Sequence, residues 1–452
     1  MNPSSLEPFF HAKRIAIIGA SRESGKIGNT ILKQLLGKGL NLYPVNPNAE
    51  DILGLKCYPS ILDIKDTVEL AVIATPGQTV PALLDQLGKK KIRHAIIISA
   101  GFKETGNQKL EKDLQDKLKG NNVLAIGPNC LGVFDAHTKL DTLFLPKERL
   151  MRPKAGTISF LTQSGATGSA ILDLAAYSNY GFAKFVSYGN AANLDETDLL
   201  EYLISDPDTK IICMYVEGIK RGREFLEIAR ASKKPILAIK GGTTEAGSRA
   251  AQSHTGSLAG SAEIYFGAFN QAGIVTAHSI EELFDYMRIF EKTKQKPAGK
   301  RVQIITNGGG YGILTADACV RNGLSLPTPG KSVKALKKEF PSTVTVGNPI
   351  DLLGDATVER YRLALEAAIE DDASDSIIVL ALTQVPLLNE QLVEVVREAN
   401  NKSHKPIVLV TTGSEYAQHL KKKFEDTGIA CYDFPENAAR ALAAYVKFWT
   451  RK

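Results

Sequence analysis

Ile15-Ala-Ile-Ile-Gly19-Ala-Ser-Arg-Glu-Ser-Gly25-Lys26-Ile-Gly28, followed by the apolar-periodic stretch Asn29 to Leu36, spells a β-strand, a glycine turn and a helix in succession. Glycines at such a turn let backbone amides approach a pyrophosphate, and the helix N-terminus adds about half a positive charge. The candidate contacts are Gly19, Ala20, Ser21, Gly25, Lys26 and Gly28. Two alternatives for this opening are tested by spacing. A Walker A loop places four residues between its glycines, whereas five separate Gly19 from Gly25, and Ile27 stands where a magnesium-binding hydroxyl belongs. A nicotinamide dinucleotide site ends its second strand in Asp or Glu, but Leu42-Tyr-Pro-Val45 runs into Asn46-Pro47-Asn48. The opening suits a differently decorated nucleotide, and coenzyme A fits it.

Working outward, short β-rich runs alternate with amphipathic stretches. The strands include Leu70–Ala74, Ala95–Ile98, Gly156–Leu161, Lys210–Val216, Pro235–Ile239, Val302–Thr306, Ile377–Ala381 and Pro406–Val410. Strands that alternate with helical patterns imply parallel sheets with helical crossovers, an α/β fold class. The chain has 452 residues, enough for roughly three domains at about 150 residues each. A polar connector, Glu291 to Lys300, and a tighter boundary, Pro146 to Pro153, divide it into 1–150, 151–296 and 297–452. The expectation is three doubly wound domains: an N-terminal Rossmann-like CoA-binding domain followed by two flavodoxin-like domains.

The two later units read as copies. The order Thr162-Gln-Ser-Gly165, Gly189-Asn190, strand 211–216 and Lys234-Pro-Ile236 recurs as Thr306-Asn-Gly-Gly-Gly-Tyr-Gly312, Gly347-Asn348, strand 377–382 and Lys405-Pro-Ile407. Copy two has Glu217 at a strand end and His254 in a long loop, where copy three offers Thr383 or Gln384 and no glycine-flanked histidine. The difference assigns chemistry to copy two and a structural part to copy three.

Composition narrows the ligand. With 55 Lys plus Arg against 49 Asp plus Glu, the net charge of +6 is mild, and no basic run with interleaved aromatics appears. Nucleic acid is therefore not the expected partner; a small polyanion is. Five dispersed cysteines without a C-x-x-C pair indicate neither a disulfide framework nor a zinc site, and no metal site is expected. The compartment read from this is a reducing cytoplasm. No 18-residue apolar run and no leader are seen, so neither membrane insertion nor secretion is expected.

Further strand ends in the first unit carry Thr75-Pro76-Gly77, Ser99-Ala100-Gly101-Phe102 and Gly127-Pro128-Asn129-Cys130. Small-residue loops after successive parallel strands build one crevice at the carboxyl edge of the sheet, where a long ligand can lie. Cys130 reads as a small buried thiol, since neither His94 nor His137 is recognisably paired with it. In the stretch Ala250 to Gly260, His254 is surrounded by small and hydroxyl residues, so its ring nitrogen is available to attack phosphorus.

The motifs Gly19-Ala-Ser21, Val45-Asn-Pro47, Thr75-Pro-Gly77, Ser99-Ala-Gly101, Gly127-Pro-Asn129, Thr162-Gln-Ser-Gly165, Gly189-Asn190 and Ser253-His-Thr-Gly256 occur together in one order. In this the chain resembles the nucleoside-diphosphate-forming acyl-CoA synthetases, relatives of succinyl-CoA synthetase, over nearly its whole length. It looks like an α subunit of the ADP-forming kind that acts on acetate. The resemblance implies reversible conversion of acetyl-CoA, ADP and phosphate to acetate, ATP and CoA through acetyl phosphate and a phosphohistidine at His254. Relatives often carry a lysine just after the Val-Asn-Pro segment; here Asn48 and Ala49 stand there, leaving Lys26 or Lys56 for the CoA phosphate.

Residue chemistry assigns the remaining roles. A histidine that attacks phosphorus needs an acceptor for its other N–H, and Glu217 is the candidate; the plainer reading is a solvated charge at a strand end. Gln163, Ser164 and Gly165 lead into a helix from Ala166 to Tyr177, whose amides can hold phosphate together with Gly189 and Asn190; the plainer reading is a serine N-cap. The three units leave no ATP-grasp-length segment, so ADP or ATP with Mg is expected on a second polypeptide, an ATP-grasp β subunit in an α2β2 complex. A non-catalytic CoA sensor or scaffold of the same fold is the alternative. A Rossmann-type oxidoreductase is disfavoured by Asn46.

Overall fold

The computed structural model describes residues 2–249 and 261–451. Two compact units divide the chain, Met1–Thr276 and Ala277–Lys452.

The first unit holds two sheets. Strands β1 (Arg14–Ile18), β2 (Asn41–Val45), β3 (Leu70–Ile73), β4 (His94–Ile97) and β5 (Leu124–Ile126) lie side by side in the order β2-β1-β3-β4-β5. All pairings are parallel, with Ile15 opposite Leu42 on one side and Leu70 on the other. Burial on both faces makes these strands continuous apolar runs: every residue of Leu70–Ile73 is buried.

The second sheet comprises β6 (Gly132–Asp135), β7 (Lys154–Thr162), β8 (Gly181–Ser187), β9 (Ile211–Val216), β10 (Ile236–Lys240) and β11 (Val275–Ala277), ordered β11-β10-β9-β7-β8-β6. Its edge strand β6 pairs antiparallel with β8, Phe134 opposite Phe185. That strand follows directly from the first sheet's last loop, so one short connection ties the two sheets together. Beneath it Lys184 is fully buried, its Nζ 3.2 Å from Asp135 and 2.9 Å from Asp206.

The second unit contains β12 (Val302–Thr306), β13 (Ile350–Asp351), β14 (Ser376–Leu380), β15 (Ile407–Val410) and β16 (Ala430–Tyr432), ordered β13-β12-β14-β15-β16, all parallel. Helix Ile280–Lys292 packs here against Pro435–Thr450 through Phe290, Tyr445 and Phe448.

Counting only the parallel strands of each sheet, all three share the order second-first-third-fourth-fifth. This is a doubly wound order whose crevice opens between the first and third strands, at their carboxyl ends. The class read from sequence, α/β with three doubly wound sheets, is the class observed. No described helix is long and apolar enough to cross a membrane.

Candidate functional site

The crevice is built by backbone approaches that only glycine permits. Gly19, with φ +88°, follows β1, and a Cβ on it would stand 2.6 Å from Ala74 O. A Cβ on Gly28 would fall 2.1 Å from Gly19 O, so helix Ile27–Leu35 starts in direct contact with the turn. Asn46 braces this edge by donating from Nδ2 to Ala20 O at 2.7 Å and accepting from Asn48 N at 2.9 Å. Ser21 Oγ accepts from Glu23 N, and Asn29 Nδ2 donates to Ser21 O. Lys26 is exposed, 3.7 Å from Glu23, and Lys56 lies over the Tyr58 ring at 5.3 Å.

A cavity of about 750 Å³ opens where the two sheets of the first unit meet. The first sheet contributes Thr75, Pro76, Gly77, Ser99, Ala100 and Asn129; the second contributes Gln163, Ser164, Gly165, Gly189, Asn190 and Glu217. The sequence-read residues Gly19, Ala20, Ser21, Gly25, Lys26, Gly28, Asn46, Pro47 and Gly101 are not on this wall. Most of them gather at the ends of β1 and β2, beside the strand that carries Thr75. His254 lies outside the described residues.

Glu217 follows β9 and is only 7% exposed, so the reading of a solvated strand-end charge does not hold. Its backbone is fixed by Gln163, whose Oε1 accepts from Glu217 N at 2.9 Å and Gly218 N at 3.2 Å. Gln163, read as a phosphate contact, thus also positions the carboxylate loop. Ser164 is the N-cap of helix Gly165–Tyr177, its hydroxyl accepting from Thr167 N at 3.2 Å. The cap role is real, and Ser164 also lines the cavity. Asn190 is heavily engaged: its Nδ2 donates to Glu104 at 2.6 Å and Glu111 at 3.3 Å, and its carbonyl accepts from Lys103 at 2.8 Å. Gly189, φ +55°, packs under Pro128 and Asn129, where a Cβ would stand 2.3 Å from either carbonyl oxygen.

Several residues that sequence reading passed over belong to this neighbourhood. Lys240, buried at the end of β10, lies 4.7 Å from the Tyr265 ring centre; burial lowers its pKa and the charge of Glu217 opposes that shift. Its signal was a charged residue ending an apolar run, the same signal that picked out Glu217. Burial, followed by Glu217, likewise raises the Tyr215 pKa. Phe144 and Leu145 supply apolar wall. Their segment is held by Arg152, which donates to Asp141 at 3.0 Å and Leu145 O at 2.9 Å. Cys130 also lines the cavity, but burial pushes its thiol up to about 12 and its Sγ lies 3.3 Å from Ile97 O, which makes it a poor nucleophile. Among the described residues no cluster of His, Cys, Asp and Glu is arranged to hold a metal.

One cavity shared by the strand-end loops of a doubly wound sheet and the switch-point loops of a second, flavodoxin-ordered sheet is the arrangement expected of a CoA ligase. Comparison with known proteins agrees. Family models match a CoA binding domain at residues 13–136, a succinyl-CoA ligase like flavodoxin domain at 155–290 and a ligase-CoA domain at 302–452. The acetate–CoA ligase [ADP-forming] II subunit alpha of Pyrococcus furiosus is 38% identical over 456 residues, 98% of this chain and 97% of that one. The acetate–CoA ligase [ADP-forming] of Methanocaldococcus jannaschii is 42% identical over 450 residues, but the match spans only 63% of that longer protein. Among solved structures, dinucleotide forming acetyl-coenzyme A synthetase 1 of Ca. Korarchaeum cryptofilum, in complex with phosphate and ADP, superposes with a TM-score of 0.91 at 37% identity, covering 98% of this chain and 96% of that one. The chain belongs to the nucleoside-diphosphate-forming acyl-CoA synthetase family, and the relatives it matches over nearly their full length are named as α subunits of ADP-forming acetate–CoA ligases.

Proposed function

We propose that the chain performs the thioester half of a reversible reaction, acetyl-CoA, ADP and phosphate giving acetate, ATP and CoA. The observation that carries the reading is the buried Glu217 on a cavity shared by the CoA-type strand-end loops and the N-terminus of helix Gly165–Tyr177. A CoA-sensing scaffold has no use for a carboxylate kept buried at that place. Thr75–Gly77, Ser99–Gly101 and Asn129 receive the CoA arm, and the Gly19–Gly28 turn its pyrophosphate. An oxygen of phosphate attacks the thioester carbonyl, the C–S bond breaks, and CoA leaves as its thiol after protonation. A ring nitrogen of His254 then attacks phosphorus, the bond to the acyl oxygen breaks, and the carboxylate departs. Glu217 accepts the other imidazole N–H and stabilises the cation that forms. Gln163, Ser164 and Gly165, with Gly189 and Asn190 alongside, line the space for the transferred group.

The phosphoryl group then passes to ADP on a second polypeptide of the ATP-grasp type, in an α2β2 assembly; Mg accompanies the nucleotide there. The Pyrococcus furiosus relatives, named as α subunits, support this division. The test is incubation of this chain with acetyl-CoA and labelled phosphate. One acid-labile, alkali-stable phosphoryl group on His254 is expected, and net ATP only after the partner is added. Label that persists in His254→Ala overturns the histidine assignment, and tight ADP binding by this chain alone overturns the division of labour.

A further inference from the structure

Phosphate carries one to two negative charges into a cavity whose wall already includes the buried carboxylate of Glu217. A helix N-terminus offers only about half a compensating charge. Among the described lining residues, Lys103 is the one cation. It opens the short turn Lys103–Thr105 directly after the Ser99–Phe102 loop, and that turn is locked from behind. Glu104 Oε1 accepts from Gly101 N at 2.6 Å and Phe102 N at 3.1 Å, while its Oε2 accepts from Asn190 Nδ2.

The Lys103 side chain is 23% exposed; its Nζ donates to Asn190 O at 2.8 Å and stands 3.9 Å from Glu111 Oε1. An ammonium has three N–H donors and Asn190 O takes one, so two remain for a ligand. Lys220 donates to the same Asn190 carbonyl at 3.2 Å. Two ammonium groups thus converge on one oxygen; burial, and after it the charge of Lys103, lowers the Lys220 pKa, against the opposing charges of Glu196, Asp195 and Glu111.

We propose that Lys103 binds the phosphoryl group, as free phosphate and then as acyl phosphate, opposite the helix N-terminus at Gly165. The inference rests on the acyl-CoA reading above and deepens it by naming the side chain that carries the phosphate charge. Lys103 gives up no proton in either step. It balances charge while the C–S bond and then the acyl-oxygen–phosphorus bond break.

The experiment is single-turnover labelling of the full chain with acetyl-CoA over a range of labelled phosphate. Lys103→Met should raise the half-saturating phosphate concentration by about 10–100-fold, the loss expected for one charge-assisted hydrogen bond, and leave CoA affinity by calorimetry unchanged. Lys103→Arg should restore most of the phosphate affinity. Label in the wild-type chain with unchanged half-saturation in Lys103→Met overturns the Lys103 assignment alone. No label in the wild-type chain overturns the acyl-CoA reading, and this inference with it. If Lys103→Met also loses CoA, Lys103→Arg decides: retained phosphate saturation supports the assignment, and a rise as large as that of Met refutes it.

Discussion

Replacing Glu217 by Gln keeps the shape of the side chain and the clasp of Gln163 on its backbone, and removes only the charge. The size of the effect turns on burial. An imidazolium and a carboxylate about 4 Å apart attract by about 4 kcal/mol at an effective dielectric of about 20, but by only about 1 kcal/mol in water. Glu217 is 7% exposed, which places it in the first regime. At about 1.36 kcal/mol per decade, the expected loss is about three decades in the rate of His254 phosphorylation, inside the range of about 10²–10⁴ known for groups that orient or charge a catalytic histidine. The assay is quenched-flow labelling with acetyl-CoA and labelled phosphate, with calorimetric CoA binding as the control. A rate within tenfold of wild type would mean that solvent screens the carboxylate, and would refute the proposed pairing. Loss of CoA binding in the same variant would instead assign Glu217 to the architecture of the cavity.

Two further expectations concern the crevice. Gly28→Ala places a methyl 2.1 Å from Gly19 O, a backbone atom that cannot swing aside, so overpacking of about 1–3 kcal/mol is expected as a fall in denaturation midpoint, with weakened CoA binding; wild-type values for both would refute the close-packed turn. Because burial raises the Cys130 pKa to about 12, its thiol stays protonated at pH 8, and alkylation of the native chain at this residue should be slower than in denaturant by about 10³-fold or more; equal rates would refute its burial.

What the sequence revealed followed from spacing. Glycines at Gly19 and Gly28 announce a strand packed against a helix start, and strand-end loops after β3, β4 and β5 announce a shared crevice, because both are properties of consecutive residues. The missing parts depend on residues brought together across long separations. Lys103 sits in a Gly101-Phe-Lys-Glu104 turn that looks like an ordinary surface turn until Asn190, 87 positions away, is placed under its ammonium. The wall at Phe144 and Leu145 carries no periodic signal at all; Arg152 folds that segment back through Asp141 and Gln34. Burial of Glu217 was equally hidden, since a charge after an apolar strand is compatible with either environment until Gln163, Tyr215 and Gly241 are placed around it.

The internal repeat is clearest at the level of hydrogen bonds. In the second sheet Thr162 Oγ1 donates to Ser164 O at 2.7 Å, and the next side chain, Gln163, clasps the backbone where the third parallel strand ends. In the third sheet Thr306 Oγ1 donates to Gly308 O at 3.0 Å, and the next side chain, Asn307, exchanges two hydrogen bonds with the backbone of Leu382, just past the third parallel strand. A threonine that closes the turn and a carboxamide that ties first strand to third are therefore common to both copies. The copies part at what the clasped loop presents. Beyond Gln163 stands Glu217, an ionisable group on the cavity wall. Beyond Asn307 stand Leu382, Thr383 and Gln384, the last donating to Thr412 O at 2.8 Å. The loop frame serves the geometry of the fold and recurs wherever that geometry does. A buried carboxylate, costly to desolvate, occurs at this position in one copy only, and that asymmetry is the physical ground on which the proposed histidine chemistry is paired with Glu217.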